Sequence, residues 1–303
     1  MSDKQQKRKK FLKKNKGLLF VAPWIIGFIL FTLGPLLASV YMSMTDWGIA
    51  GPITGFIGLD NYKQAFTSDG FWHALAVTAK YGILAVPLGM ISSLVAALLL
   101  DNKLRGDGVF RVLYYLPVVA AGVAVAVMWK WILAPTGLLN MFLGVFHIEP
   151  IYWLNDPQWV IPSYVIMATW SAFSGYLTYL VAIKDIPETL GQNSKILGIG
   201  YFENLFKVTI PLMKPILTYN LIMALIASFR KFSDAYIIGG AGGQGDFYMV
   251  YFYRMAFEQY QMGYAIALAW ISIIILLVLV ALVYKQTPFF EYYSGQKKKK
   301  GAK

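Results

Sequence analysis

The sequence has no cysteine and few charged residues. Charged side chains make up 14% of its 303 residues, whereas 58% are hydrophobic, and the mean hydropathy is +0.56. The absence of cysteine excludes disulfides and cysteine-ligated metal sites. A soluble domain carries about 25% charged and about 45–50% apolar residues, so these charged residues are too few to cover a water-facing surface. The composition therefore predicts an integral membrane protein.

Residues that could carry enzyme chemistry are also scarce. The only histidines are His73 and His147, and they lack the spacing of a metal-binding motif. No phosphate-binding loop of the form Gly-x-x-x-x-Gly-Lys-Ser/Thr occurs; the glycine-rich stretch IIGGAGGQGDF has no following lysine. These absences disfavour an intramembrane enzyme and predict that any ATP-driven activity uses an ATPase on another chain.

Long apolar windows are present instead. Windows of about 20 apolar residues predict six membrane-spanning helices, at residues 17–43, 74–100, 110–133, 159–183, 212–238 and 262–284. The first window is longer than the apolar core of a signal peptide, about 7–15 residues, which favours an uncleaved anchor. In the second window Ala85, Gly89, Ser93 and Ala97 recur every four residues, a stripe that lets a neighbouring helix approach closely.

Basic residues predict which side of the membrane each segment faces. The formal charge is +12, and lysine and arginine concentrate in the two termini and in the segments after spans two and four. All of these segments fall on one side if both termini are cytoplasmic. The basic termini favour a topology signal and contact with anionic lipid over nucleic-acid binding. Tryptophans near the outer ends of spans three and four, including Trp129 and Trp153, are interpreted as interfacial anchors.

This topology divides the chain into three parts. We predict a basic cytoplasmic tail over residues 1–16, a six-helix transmembrane domain over 17–285 and a second basic tail over 286–303. Residues 184–214 form the longest predicted cytoplasmic loop, here called the coupling segment. Its pattern predicts two short helices separated by Gly198 and Gly200. The predicted location is the cytoplasmic membrane, as a multi-pass protein.

The coupling segment resembles the "EAA" loop of binding-protein-dependent ABC importer permeases. The family's residues recur at Ile186, Pro187, Leu190, Gly198, Thr209, Pro211 and Pro215. In that family a short helix of the loop inserts into a groove on the ATP-binding subunit. The resemblance implies ATPase contact at Pro187, Leu190, Gln192, Asn193, Ser194, Gly198, Phe206 and Pro211. Gln192 replaces the family's glutamate and Leu197 its aspartate, so a weaker grip is expected, since neutral hydrogen bonds are weaker than charged ones.

The resemblance extends over residues 17–285. Stretches such as VAPWIIGFILFTLGPLLASVYMSMTDW and FRVLYYLPVVAAGVAVAVMWKWILAPTGLLN are similar to permeases of the maltose, lactose and glycerol-phosphate type. The resemblance implies the type I importer fold and a non-enzymatic transport subunit that binds no cofactor or metal itself. The implied partners are a second, different permease, two ATP-binding subunits that hold ATP and Mg²⁺, an extracytoplasmic solute-binding protein and a saccharide.

Polar residues in spans four and five predict a solute site near the bilayer midplane. The same two spans bind sugar in the maltose-type permeases, which supports this placement. The candidate binding residues are Trp170, Ser171, Ser174, Tyr176, Asn220, Ser228, Lys231 and Asp234.

Three charges in the outer half of span five have two interpretations. On one continuous helix Arg230 and Asp234 lie four residues apart and can form an ion pair. Alternatively, one unpaired positive charge faces the solute pathway and attracts an acidic oligosaccharide or a phosphorylated polyol. The competing function is an ion-coupled secondary carrier, but paired inverted repeats, which are usual in that class, are not evident.

Overall fold

The computed structural model describes residues 16–48, 55–101, 107–119, 122–187, 189–190 and 198–286. This part of the chain is all-helical, apart from one isolated bridge between Thr45 and Phe56. The α-helices are, in chain order, α1 (Lys16–Phe28), α2 (Gly34–Met42), α3 (Asp60–Thr67), α4 (Asp69–Asp101), α5 (Asp107–Val119), α6 (Gly122–Ile132), α7 (Leu138–Val145), α8 (Pro157–Ala172), α9 (Tyr176–Lys184), α10 (Tyr201–Asn204), α11 (Ile210–Leu212), α12 (Lys214–Phe229), α13 (Ser233–Ile238), α14 (Tyr248–Tyr253) and α15 (Met262–Gln286).

π-Helical and 3₁₀ turns join several of these helices. π-Helical turns occupy Ile29–Leu33, Leu205–Thr209 and Arg254–Glu258, and a 3₁₀ turn at Phe173–Gly175 joins α8 to α9. The first π turn completes one helical stretch from α1 to α2, and the second completes another from α10 to α11. The stretch from α1 to α2 corresponds to predicted span one and the stretch from α8 to α9 to predicted span four, whereas the stretch from α10 to α11 lies in the coupling segment.

Within the described residues, four stretches are long and apolar enough to cross a membrane: Phe20–Met42, Asp69–Asp101, Pro157–Lys184 and Met262–Lys285. They correspond to predicted spans one, two, four and six. A fifth arises if Tyr201–Leu212 and Lys214–Ile238, which are bent by 72°, count as one broken span. Predicted span three falls on α5 and α6, between which residues 120 and 121 lie outside the described part, as do most of the two predicted tails.

The chain divides into two compact units. The first contains the residues up to Thr67 together with Arg254–Trp270. In this unit the buried Asn61 side chain donates hydrogen bonds to the backbone oxygens of Ser43 and Thr45, at 2.8 and 2.9 Å. A Cβ atom at Gly263 would lie 2.2 Å from the Thr45 oxygen, so only glycine allows this approach.

The second unit, Ser68–Tyr253 and Ile271 onward, is built around α4. All four residues of the predicted small-residue stripe, Ala85, Gly89, Ser93 and Ala97, are buried. The stripe lets α4 pack against α8, α9 and α12. A Cβ atom at Gly89 would lie 3.2 Å from the Ala172 Cβ atom, and one at Gly82 would lie 3.2 Å from the Ser228 hydroxyl. Close helix approach along this stripe is therefore confirmed.

Two apolar clusters of the second unit lie on either side of a cavity. The larger contains Tyr81, Tyr164 and Phe247, whose rings meet edge to face, and also Trp129 and Trp153. The smaller includes Ala97, Leu100, Tyr176, Tyr179 and Met213. The interpretation of Trp129 and Trp153 as interfacial anchors is wrong, because both are more than 90% buried in packing that their spacing along the chain did not reveal.

Candidate functional site

Predicted span five is interrupted within its apolar sequence. Helix α12 ends at Phe229, and α13 begins at Ser233. Between them Phe232 has φ −137° and ψ −66°, outside the helical region. The expected ion pair between Arg230 and Asp234 assumed one continuous helix and is wrong. Instead Lys231 binds Asp234, with 2.5 Å between the Lys231 Nζ atom and a carboxylate oxygen.

Span four also changes its winding, at the 3₁₀ turn Phe173–Gly175. The Ser93 hydroxyl, from α4, donates a hydrogen bond of 2.5 Å to the Ala172 backbone oxygen. Gly175 lies against the same serine, since a Cβ atom there would be 3.1 Å from the Ser93 oxygen. Ser174 donates to the Ser171 backbone oxygen at 2.7 Å. The tighter turn is thus supported by a bond from the neighbouring helix.

The broken helix of predicted span five, the 3₁₀ turn of predicted span four and α4 border an open cavity of about 740 Å³, within the range of about 300–1,000 Å³ usual for small-molecule sites. Six of the eight predicted binding residues line it: Ser171, Ser174, Asn220, Ser228, Lys231 and Asp234. Residues from α4, α6, α8, α9, α12 and α13 all contribute to the wall.

The other two predicted residues do not line this cavity. Trp170 packs edge to face against Trp129, with 5.7 Å between ring centres. Tyr176 is 3% exposed and packs against Tyr114 at 5.9 Å. Both rings therefore lie on faces of α8 and α9 that contact neighbouring helices.

Lys231 is held by aromatic rings as well as by Asp234. Its ammonium group lies 4.8 Å from the centre of the Tyr81 ring, 5.0 Å from that of Tyr164 and 5.8 Å from that of Phe247. The side chain is only 9% exposed. Cation–π attraction strengthens when the cation is desolvated, so this arrangement offsets part of the cost of placing the charge at membrane depth.

Three further cavity residues were not among the predicted binding residues. Arg230 lines the cavity, is exposed and has no ion pair with any residue that the structure describes. The Trp129 indole nitrogen and the Tyr179 hydroxyl are buried and have no hydrogen-bond partner in the described part. The position of Tyr179 in the cavity could have been predicted from the sequence, because it continues the helical spacing of Ser171 and Gly175. Nothing in the sequence distinguishes the cavity-lining Trp129 from an interfacial tryptophan.

The coupling segment is partly described. Gln192, Asn193 and Ser194 lie outside the described residues, as does most of the first predicted helix. The second predicted helix is confirmed as the continuous stretch Tyr201–Leu212. Gly198 has φ +71°, a left-handed conformation that favours glycine. Pro187, Leu190, Gly198, Phe206 and Pro211 are all exposed.

One ion pair reinforces the second helix of this segment. Lys207 binds Glu203 one turn earlier, with 2.7 Å between the nitrogen and a carboxylate oxygen. The hydrogen bond to Glu203 raises the pKa of Lys207 above its usual value. Both side chains are largely exposed, so the pair contributes little to stability.

A broken helix beside a cavity that contains several polar and charged residues, in an apolar helical chain, is typical of a membrane transport protein. Residues 85–289 match the family model described as "Binding-protein-dependent transport system inner membrane component". The chain belongs to this family of ABC transporter permeases, as the resemblance predicted. The described residues contain no group of three or more acidic or histidine side chains that could hold a metal ion.

Individual relatives match along almost the whole chain. The "Probable ABC transporter permease protein YesP" of Bacillus subtilis (strain 168) is 34% identical, and the match covers 97% of this chain and 98% of that protein. The "Lactose transport system permease protein LacF" of Rhizobium radiobacter is 30% identical, covering 93% and 95%. The "Trehalose/maltose transport system permease protein MalF" of Thermococcus litoralis is 28% identical, covering 84% and 86%.

A solved structure shows the same fold. The crystal structure of a bacterial ABC transporter involved in the import of the acidic polysaccharide alginate superposes with a TM-score of 0.79. The match covers 93% of this chain and 98% of that chain at 22% sequence identity.

Proposed function

We propose that this chain is the membrane-spanning permease subunit of an ATP-driven importer that carries a saccharide across the cytoplasmic membrane. It crosses the membrane six times, with both termini in the cytoplasm. The observation that carries the proposal is the cavity of about 740 Å³ between two interrupted spans. The saccharide class is supported by the relatives named for lactose and for trehalose and maltose.

Transport proceeds by alternating access of the cavity to the two sides of the membrane. Hydroxyl and amide groups of Ser171, Ser174, Asn220 and Ser228 line the path and can exchange hydrogen bonds with sugar hydroxyls. The 3₁₀ turn at 173–175 and the break at 230–232 are the places where spans four and five can change direction. The chain itself forms no covalent bond with its solute.

The energy for this movement comes from ATP hydrolysis on a separate pair of subunits, which hold the ATP and Mg²⁺. The exposed coupling residues, among them Phe206 with 64% of its surface accessible, form the contact with those subunits. A large exposed aromatic side chain on a short cytoplasmic helix suits insertion into a groove on a partner, where aromatic anchors supply much of the binding energy.

Two further partners complete the assembly. A second, different permease forms the other half of the membrane pathway. An extracytoplasmic solute-binding protein delivers the saccharide, as supported by the related alginate transporter, which has been solved in complex with an alginate pentasaccharide-bound periplasmic protein.

Reconstitution tests this function directly. The purified complex of this chain with its ATPase and second permease, placed in liposomes with the binding protein, is expected to accumulate a saccharide only when ATP is supplied. Phe206→Ala is expected to lower uptake and saccharide-stimulated ATP hydrolysis about thirtyfold, since aromatic anchors contribute about 2 kcal/mol or more and each 1.4 kcal/mol is about a factor of ten. Leu88→Ala, on the exposed face of α4, is the matched control.

Uptake driven by a proton or sodium gradient in the absence of ATP would favour the ion-coupled carrier instead. Undiminished coupling in Phe206→Ala would remove this residue from the ATPase contact.

A further inference from the structure

The cavity carries an excess of positive charge. Among its lining residues, which all belong to the described part of the chain, the ionised groups at neutral pH are Arg230, Lys231 and Asp234. One carboxylate faces two cations, which leaves a net charge of +1. Charged residues within membrane spans are costly and mark substrate and ion pathways, and a net positive cavity attracts an anionic solute more strongly than a neutral one.

The two cations are not equivalent. Lys231 already forms an ion pair with Asp234, at 2.5 Å, and cation–π contacts with three aromatic rings. Only 9% of its side chain is accessible. Arg230 is exposed on the cavity side of the interruption and has no carboxylate partner among the described residues. The excess charge therefore resides on a planar guanidinium group, whose paired donors match a carboxylate.

Two further groups in the cavity wall, both hydrogen-bond donors, have no acceptor among the described residues. The Trp129 indole nitrogen can only donate a hydrogen bond, and the Tyr179 hydroxyl can donate one. Both atoms are buried in the cavity wall without a partner in the described part of the chain. Buried polar groups without partners are rare in native proteins, so these two donors point to a ligand that brings oxygen acceptors.

The donors are spread along the cavity. Ser171 and Tyr179 are separated by eight helical positions, or roughly 12 Å along the helix axis. A solute that reaches both Tyr179 and the donors nearer Ser171 is longer than one sugar ring, which favours an oligosaccharide.

We propose that Arg230 binds a carboxylate of the transported solute and thereby selects an acidic, uronate-containing oligosaccharide, with Trp129 and Tyr179 donating to its other oxygens. This inference rests on the proposed function and adds a specificity-determining residue to it. Lys231 has a different task, which is to neutralise Asp234 and fix the interruption between α12 and α13.

The test uses the complete importer in liposomes with its unaltered binding protein. The probes are trisaccharides of galacturonate, glucuronate and mannuronate, each paired with the neutral trisaccharide obtained by reducing its carboxyl groups. The wild type is expected to take up at least one uronate trisaccharide faster than its neutral counterpart. Arg230→Gln is expected to lower that uptake about tenfold or more, as for loss of a hydrogen bond to a charged group, and to reduce the preference for the acidic form.

Two variants distinguish a loss of selection by charge from a general loss of transport activity. Lys285→Gln removes a positive charge at the far end of α15, outside the cavity, and is expected to keep both the rate and the preference. Arg230→Lys keeps the charge but loses the paired donors, and is expected to give an intermediate preference.

Equal or faster uptake of the neutral form by the wild type would overturn the inference and leave the proposed function standing. An equal loss of acidic and neutral uptake in Arg230→Gln would also overturn it, because a merely structural arginine gives that result. ATP-dependent uptake of no saccharide at all would instead overturn the proposed function, and this inference with it.

Discussion

Arg230 and Lys231 are neighbours of like charge in the break between α12 and α13, yet their environments differ. Arg230 follows the last residue of α12 and is exposed. Lys231 turns into the space between Tyr81, Tyr164 and Phe247. The side chain that is buried is therefore the one with a carboxylate partner, as expected from the large cost of burying an unpaired charge.

Lys231→Met is expected to destabilise the permease, because it leaves the Asp234 carboxylate half-buried without its partner. The expected cost is about 1–3 kcal/mol, measured as reduced thermal stability of the purified complex in detergent. The double variant Lys231→Met with Asp234→Asn removes both charges and is expected to recover much of that loss.

A double variant that is no more stable than Lys231→Met would contradict this assignment. It would mean that the aromatic contacts of Lys231, rather than its pairing with Asp234, support the interruption.

Much of the site at the residue scale was predictable from the sequence. Hydrocarbon rejects polar groups, so the cavity-lining position of Ser171, Ser174, Asn220 and Ser228 could be predicted from their location in apolar spans; their contact with a solute stays a prediction. The partner of Asp234 could not be predicted, because the choice between residues three and four positions away depends on where the helix stops. No proline or glycine lies at residues 230–232 to mark that stop.

At the scale of elements, α4 acts as the surface on which the interrupted spans are placed. Its buried stripe contacts α8, α9 and α12, which all contribute residues to the cavity. Small residues allow helices in membranes to approach closely, and dispersion contacts then replace the hydrophobic driving force that lipid does not supply. The distance between α4 and the neighbouring helices that line the cavity therefore depends on the absence of a side chain at Gly82 and Gly89.

Gly89→Leu is expected to abolish or strongly reduce uptake, because its side chain would push α8 away at Ala172, where even a Cβ atom would be 3.2 Å from its neighbour. Overpacking of this kind costs about 1–3 kcal/mol. Ala76→Leu introduces the same side chain at an exposed position of the same helix and is the control. Uptake and thermal stability are measured for both.

Equal effects of the two substitutions would show that the close approach of α4 and α8 is not required for transport.

The prediction of elements succeeded where the length of an apolar run determines the helix. It failed where contacts between distant residues determine the local conformation. Spans one, two, four and six follow from hydropathy. The 3₁₀ turn at Phe173–Gly175 does not, because it depends on the Ser93 hydroxyl, 79 positions earlier in the chain. Such non-local support is invisible to a window of 20 residues.

At the scale of the whole molecule, the proposed mechanism requires that a movement in the coupling segment reaches predicted spans four and five. The segment is continuous in sequence with both, since α9 ends at Lys184 and α12 begins at Lys214. The described helix Tyr201–Leu212 meets span five at a bend of 72°. A rigid helix on each side of a bend converts displacement of one into rotation of the other.

Gly198→Val is expected to uncouple ATP hydrolysis from uptake, because valine at φ +71° is strained and changes the direction of the helix that follows. A left-handed conformation costs a residue other than glycine about 1–2 kcal/mol, which favours another backbone conformation there, so the ratio of saccharide imported to ATP hydrolysed is expected to fall. Gly200→Val is the control, since Gly200 has φ −68° and a Cβ atom there meets nothing within 4 Å.

An unchanged ratio in Gly198→Val would show that the left-handed turn has no part in transmitting movement. A similar loss in both variants would point to the segment's surface rather than to its backbone.

The interruption at 230–232 also constrains how the protein is made. The end of α12 leaves backbone carbonyl groups without helical partners, and hydrocarbon tolerates such groups only where protein or water meets them. The fifth span is therefore unsuited to residence in lipid on its own. Its neighbours α4 and α8 precede it in the chain and are synthesised first. The helices against which the broken span packs are therefore made before it. A circular permutation that moved residues 214–238 to the front of the chain would remove that advantage and expose the segment to the cell's quality control.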